Sequence, residues 1–125
     1  MSSGRLILHF GNDSLLAEAR ILVLEDAGYE VIAADTHAAA LRFLRTRRVS
    51  LVIACHSVPP EDLEFTVRQM KHLRPRIPLI MVHVGGLVRP QRSHADGFID
   101  GLRGPEHMLY QVATFITRNA TAAAG

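Results

Sequence analysis

Short apolar runs alternate with longer segments of helical periodicity along most of the chain. The runs of strand length cover residues 5–10, 29–34, 50–55, 79–84 and 97–99. Apolar residues recur with helical spacing in the segments 15–27, 36–46, 61–73 and from 105 onward. This alternation is typical of a parallel sheet whose strands are joined by crossover helices.

Residues that begin and end helices lie at the expected boundaries. Asp13 or Ser14 offers an N-cap to the first helix, Gly28 ends it, and the Asp35-Thr36 pair caps the second. The periodicity weakens in 84–95, which contains two glycines and a proline, so we predict a shortened helix between the fourth and fifth strands. We predict a disordered tail for 119–125.

The predicted fold is a single doubly wound α/β domain spanning residues 1–125. Ligands of such folds bind at the carboxyl ends of the strands. The segments to inspect are therefore 11–13, 55–58, 83–86 and 100–104.

The composition is typical of a single globular domain. The chain has 125 residues, of which 48% are hydrophobic and 21% charged, which fits one domain with one core. A formal net charge of +2 without a dense basic run argues against a nucleic-acid partner for the domain by itself. A single cysteine, Cys55, excludes an intramolecular disulfide and fits a reducing cytoplasm. The N-terminal residues indicate neither a secretory signal nor a membrane span.

Four segments of the chain resemble one family. They are LEDAGYEV (24–31), ALRFLRTRRVSLVIACHSVPP (40–60), IPLIMV (77–82) and ADGFI (95–99). Over residues 5–118 the chain resembles response-regulator receiver domains, the chemotaxis-regulator (CheY-like) family. The resemblance implies a flavodoxin-like, three-layer α/β/α fold with strand order 2-1-3-4-5. It also implies a role in bacterial two-component signalling, with a kinase or an effector domain as partner.

The residues that carry the family's chemistry are replaced in this chain. Receiver domains phosphorylate an aspartate that ends the third strand, using Mg²⁺ held by acids after the first strand, a hydroxyl ending the fourth and a lysine ending the fifth. The corresponding positions read Gly11 and Asn12 (with Asp13 one place further), Cys55, His83 and Gly101, while Phe98 keeps the switch aromatic. We therefore expect a degenerate receiver that is not an enzyme, uses no cofactor and binds a protein partner independently of phosphorylation.

A second function remains open at the same positions. Cys55, His56 and His83 have side chains that bind Zn²⁺, and Cys55 beside a cation would respond to oxidants. Adjacent residues on a strand point to opposite faces, so Cys55 and His56 reach one ion only if the chain turns between them. The simpler interpretation is a thiol buried in the core. No G-x-S-x-G or G-x-G-x-x-G motif supports a hydrolase or a dinucleotide site.

Basic residues concentrate on the second and third helices. They are Arg42, Arg45, Arg47 and Arg48, then Arg68, Lys71, Arg74 and Arg76. We expect the two helices on opposite faces or edges of the sheet, so one continuous patch is not assured. Solvated helix surfaces are the expected interpretation, and phosphate or RNA binding is the alternative. The oligomeric state is not predicted.

Overall fold

One parallel sheet of five strands forms the centre of the molecule. The computed structural model describes residues 5–55, 58–83 and 94–124. Its strands are β1 (Leu6–Phe10), β2 (Glu30–Ala34), β3 (Val49–Cys55), β4 (Leu79–His83) and β5 (Gly97–Asp100). They are ordered β2-β1-β3-β4-β5 and all neighbours are parallel, which confirms the predicted fold and strand order.

Within the described residues, four helices and a 3-10 turn connect and cover the strands. They are α1 (Ser14–Asp26), α2 (His37–Thr46), α3 (Pro60–Leu73), the turn Gly101–Arg103 and α4 (Pro105–Ala124). Asp13 caps α1 by accepting a hydrogen bond from the Leu16 amide at 3.1 Å, and Thr36 caps α2 in the same way. Gly28 follows α1 with a φ of +100°, a conformation that side-chain-bearing residues rarely adopt.

The C-terminal helix is longer than the sequence predicts. Helix α4 extends to Ala124 and so occupies most of the segment 119–125, for which we predicted a disordered tail. Alanine has the highest intrinsic helix propensity, and four of the six residues from 119 to 124 are alanines, so the helix has no local reason to end earlier. The shortened helix predicted between β4 and β5 lies outside the described residues.

The sheet separates two apolar cores. On one side, which we call the α2/α3 face, the strand residues Leu8 and Phe10 pack with side chains of α2 and α3. On the other, the α1/α4 face, Ile7 and Ile53 pack with side chains of α1 and α4. Because β1 and β3 are covered on both sides, nearly all of their residues are buried, and each fully buried Leu or Ile contributes roughly 1.5–3 kcal/mol.

The placement of α2 and α3 corrects the sequence-based expectation. Leu44 of α2 and Val67 of α3 belong to the same apolar cluster, so the two helices are neighbours on one face and not on opposite faces or edges. The connections from β2 to β3 and from β3 to β4 run in the same direction across the sheet. Because both crossovers are right-handed, their helices lie on the same face.

Candidate functional site

The carboxyl ends of the strands bring most of the predicted site residues to one edge of the sheet. Cys55 at the end of β3 is paired with Val82 of β4, and His83 at the end of β4 is paired with Asp100 of β5. Gly11 follows β1 directly and donates its amide hydrogen to the Ala34 carbonyl.

Asp13 has a structural task at this edge. Its carboxylate is exposed and accepts the hydrogen bond of the Leu16 amide as the N-cap of α1. Asn12, also exposed, is neutral. Among the three residues that follow β1, Asp13 therefore offers the one carboxylate, and it already stabilises a helix end.

The thiol of Cys55 is buried against an arginine that the sequence analysis did not select. Cys55 is 1% exposed, and its Sγ atom accepts a hydrogen bond from Nη1 of Arg20 at 2.8 Å. Arg20 lies on α1, 35 positions away in sequence. One signal for it was present, because residues 17, 20 and 24 share the buried side of α1, where an arginine is unusual.

The guanidinium of Arg20 also lies beside the position where the resemblance expects a lysine. A Cβ atom added to Gly101 would be 3.3 Å from Nη2 of Arg20 and 3.2 Å from Val82 Cγ1. A side chain at position 101 would thus compete for space with Arg20 as it is placed. The positive charge at this end of β5 comes from α1 instead of β5.

A buried histidine completes the polar group on the α1/α4 face. His9 of β1 is 1% exposed, and neither of its ring nitrogens has a hydrogen-bond partner in the described part of the chain. Burial, reinforced by the positive charge of Arg20, lowers the pKa of His9 to about 4. His9 is therefore neutral at physiological pH. In the sequence, His9 lies within an apolar strand run, which gives no sign of this role.

The proposed metal ligands are not assembled within residues 5–55, 58–83 and 94–124. Strand alternation places Cys55 on the α1/α4 face, with Ile53 and Val82, and His83 on the other face, with Met81. His56 lies outside the described residues. No group of three His, Cys, Asp or Glu residues suited to a metal ion occurs in those ranges. Phe98 is half-buried against the α2/α3 core.

A second site lies at the opposite edge of the sheet, because α2 and α3 are neighbours. There a groove of about 450 Å³ is lined by Val49, Leu73, Pro75 and Ile77 together with Arg47, Arg48, Arg74 and Arg76. Nε of Arg74 donates a hydrogen bond to the Leu44 carbonyl. Ion pairs between the groove's arginines and acidic residues are absent from the described ranges. The basic residues that the sequence analysis treated as separate surfaces thus converge in part.

None of the helices in the described residues is both long enough and apolar enough to cross a membrane.

Solved structures with this fold include several receiver domains. The chain is similar to a response regulator receiver domain protein (CheY-like) from Methanospirillum hungatei, with 21% identity and a TM-score of 0.83 over 94% of this chain and 98% of that one. It is similar to a receiver domain of an HD domain-containing protein from Pseudomonas fluorescens, with 14% identity and a TM-score of 0.85 over 99% and 95%.

A third similar structure is a response regulator from Thermotoga maritima in complex with Mg²⁺ and BeF, with 18% identity and a TM-score of 0.80 over 89% of this chain and 98% of that one. No protein-family model and no curated protein sequence matches the chain. At these identities the likeness establishes the fold, which is that of CheY-like receiver domains.

Proposed function

We propose that this chain is a receiver-like signalling module that binds a protein partner and operates without phosphorylation. The receiver fold supports the first half of the proposal. The second half depends on one observation: the phosphoacceptor position holds Cys55, a thiol that is 1% exposed and hydrogen-bonded to Arg20.

The chemistry of phosphoryl transfer gives the physical reason. An acceptor must be exposed to the donor, and a divalent cation must neutralise the charge that the phosphoryl oxygens carry. Mg²⁺ is bound through carboxylates and phosphates, whereas Asn12 is neutral and Asp13 caps α1. Arg20 supplies a single positive charge, and its position beside Cys55 closes off the thiol.

Amide NMR spectra with Mg²⁺ and beryllofluoride test this proposal. The Thermotoga maritima response regulator forms a complex with this pair and serves as the positive control, measured in parallel with the same reagents. For this chain we expect no change at Gly11, Cys55 or Gly101. Shifts at these residues that saturate with beryllofluoride only when Mg²⁺ is present would overturn the proposal.

The basic groove favours an acidic peptide segment as the part of the partner that binds. Arginines pair with carboxylates in two-pronged geometry, and the floor formed by Val49, Leu73 and Ile77 offers contact to apolar side chains. Single-stranded nucleic acids bind through stacking on aromatic rings, and no aromatic residue is among those lining the groove. Charge and shape therefore support a peptide over a nucleic acid.

Fluorescence anisotropy with a labelled peptide of alternating Glu and Leu tests the groove. The Arg47→Gln/Arg76→Gln variant should bind about three- to tenfold more weakly than wild type, because two charge pairs between exposed arginines and peptide carboxylates are lost. The Arg103→Gln/Arg118→Gln variant has the same net charge, carries its changes away from the groove, and should bind like wild type. Equal loss in both variants, or tighter binding of single-stranded DNA than of the peptide, would contradict the assignment.

The contact with Arg20 also favours a second candidate function, an oxidant-responsive module. Oxidant-sensing cysteines lie beside a cation, as Cys55 does. In their reaction a thiolate attacks hydrogen peroxide and the O–O bond breaks, so that one oxygen forms the sulfenic acid and the other leaves as hydroxide. The burial of Cys55 weighs against this function. Reaction of the native thiol with DTNB as fast as in denaturant would favour it, and protection of the thiol in the native state would exclude it.

A further inference from the structure

A cleft of about 290 Å³ lies between α1 and α4 at the end of the sheet. Its volume is close to the lower end of the range for small-molecule sites, about 300–1,000 Å³. Most of its wall is apolar and is formed by Leu16, Ala19, Val23, Ile99, Pro105 and Met108. The cleft is separate from the basic groove at the opposite edge of the sheet.

One polar side chain lines this cleft and is buried to more than nine-tenths. Arg20 is 8% exposed and makes one side-chain hydrogen bond to the described residues, from Nη1 to Cys55 Sγ. A guanidinium has five N–H donors, and a buried positive charge is costly unless a negative group pairs with it. Within the described ranges no carboxylate forms an ion pair with Arg20.

The surroundings of Arg20 do not compensate its charge. His9, the other titratable group shown to interact with it, is neutral at physiological pH. Gly101 keeps one side of the guanidinium open, since even a Cβ atom there would lie 3.3 Å from Nη2. The cleft therefore combines an apolar wall with a cation whose remaining donors require an acceptor.

We propose that this cleft binds a small carboxylic acid with a short apolar chain. The carboxylate pairs with the guanidinium of Arg20, and the chain lies along the apolar wall between α1 and α4. A carboxylate matches the single charge and planar donor set of arginine, whereas a phosphate ester carries nearly two charges and has one cation available here. This site is independent of the proposed function, because neither partner binding nor the lack of phosphorylation requires it.

Octanoate is the probe for this site, followed by amide NMR titration and calorimetry on the full chain. Binding should be saturable with a Kd on the order of 0.1–1 mM, as expected for a ligand of this size. Shifts should centre on Ala19, Val23 and Met108. Octan-1-ol and octylamine have the same chain without the carboxylate and should bind at least tenfold more weakly.

Two variants and a control assign the roles. Arg20→Met removes the charge but retains an unbranched side chain, and it should weaken octanoate binding at least tenfold. Ala19→Leu narrows the cleft without changing Arg20 and should also weaken binding, so the test survives if Arg20→Met does not fold. Arg68→Met, on the α2/α3 side, should bind like wild type.

Each contrary result overturns the proposal. These results are the absence of shifts at the cleft with octanoate at millimolar concentration, equal binding of octan-1-ol, and full binding by a folded Ala19→Leu variant. A null result with octanoate leaves the beryllofluoride outcome unaffected, so failure of this site and failure of the proposed function are distinguishable.

Discussion

The two faces of the sheet differ in how they treat buried polar groups. On the α2/α3 face, the buried residue Thr66 contacts Nδ1 of His37 through its hydroxyl at 2.9 Å. On the α1/α4 face, His9 has no partner for either ring nitrogen among the described residues, and Arg20 is bonded through one of its five donors. The α2/α3 face also has one buried atom without a partner among the described residues, Nδ1 of the partly buried His83. The α1/α4 face has more, because both ring nitrogens of the fully buried His9 lack partners and the charged Arg20 uses one of its donors.

Buried polar groups without partners lower stability, so the face that has more of them contains residues that folding alone does not require. A buried polar group without a partner costs about 1–3 kcal/mol, and a buried charge costs more. Apolar side chains at His9 and Arg20 would give the same sheet at lower cost. The α1/α4 face therefore carries the larger cost to stability, a feature that is common at binding sites.

The largest effect is expected from truncation in the apolar core. Leu44→Ala on the α2/α3 face removes a side chain that is 1% exposed and leaves a cavity, so it should lower the free energy of unfolding by about 2–5 kcal/mol. Urea denaturation measures the change. A loss below about 1 kcal/mol would mean that this face is loosely packed and that the two faces do not differ as described.

The free energy of unfolding should depend on pH through His9, which is buried on the α1/α4 face. The folded-state pKa of His9, about 4, lies below its ordinary value of 6.5, so the unfolded chain binds a proton that the folded chain does not. Its contribution is unchanged above pH 6.5 and becomes unfavourable as the pH falls from 6.5 towards 4, by roughly 3 kcal/mol in total. The urea midpoint is measured between pH 6.5 and 4 for wild type and for His9→Leu. If the midpoint fell equally steeply with pH in both proteins, His9 would not be the cause.

At pH 7 the same substitution should stabilise the protein. His9→Leu replaces two unpartnered ring nitrogens with an apolar side chain of similar size, so the free energy of unfolding should rise by about 1–3 kcal/mol. This is the opposite sign to Leu44→Ala. Thermal denaturation followed by circular dichroism measures the change, and a destabilisation would show that His9 has a native partner.

The smallest effects should come from the two helix caps, one on each face. Asp13→Ala and Thr36→Ala each remove one side-chain hydrogen bond to a backbone amide and should each cost about 1 kcal/mol. Asp13→Ala should not change the binding of Mg²⁺ to the protein. If calorimetry detected Mg²⁺ binding to wild type that Asp13→Ala abolished, the carboxylate would be a metal ligand as well as a cap.

The strands and helices could be predicted because their signals are local, whereas the strand order was implied by the resemblance to receiver domains. The strand runs, the N-caps at Asp13 and Thr36 and the glycine after α1 each lie within a few residues of the feature that they specify. The contact between Arg20 and Cys55 spans 35 positions and depends on how α1 packs on the sheet, which local periodicity does not contain. The shared face of α2 and α3 follows from crossover handedness once the strand order is known, and helical periodicity alone does not contain it.

Incubation with acetyl phosphate and Mg²⁺, followed by intact-mass measurement, tests the central claim most directly. With Cys55 buried against Arg20 and Asp13 capping α1, the account predicts that the mass of the chain does not change. A stable gain of one phosphoryl group, present in wild type and absent from Cys55→Ala, would show that the pocket still accepts phosphate and would contradict phosphorylation-independent function.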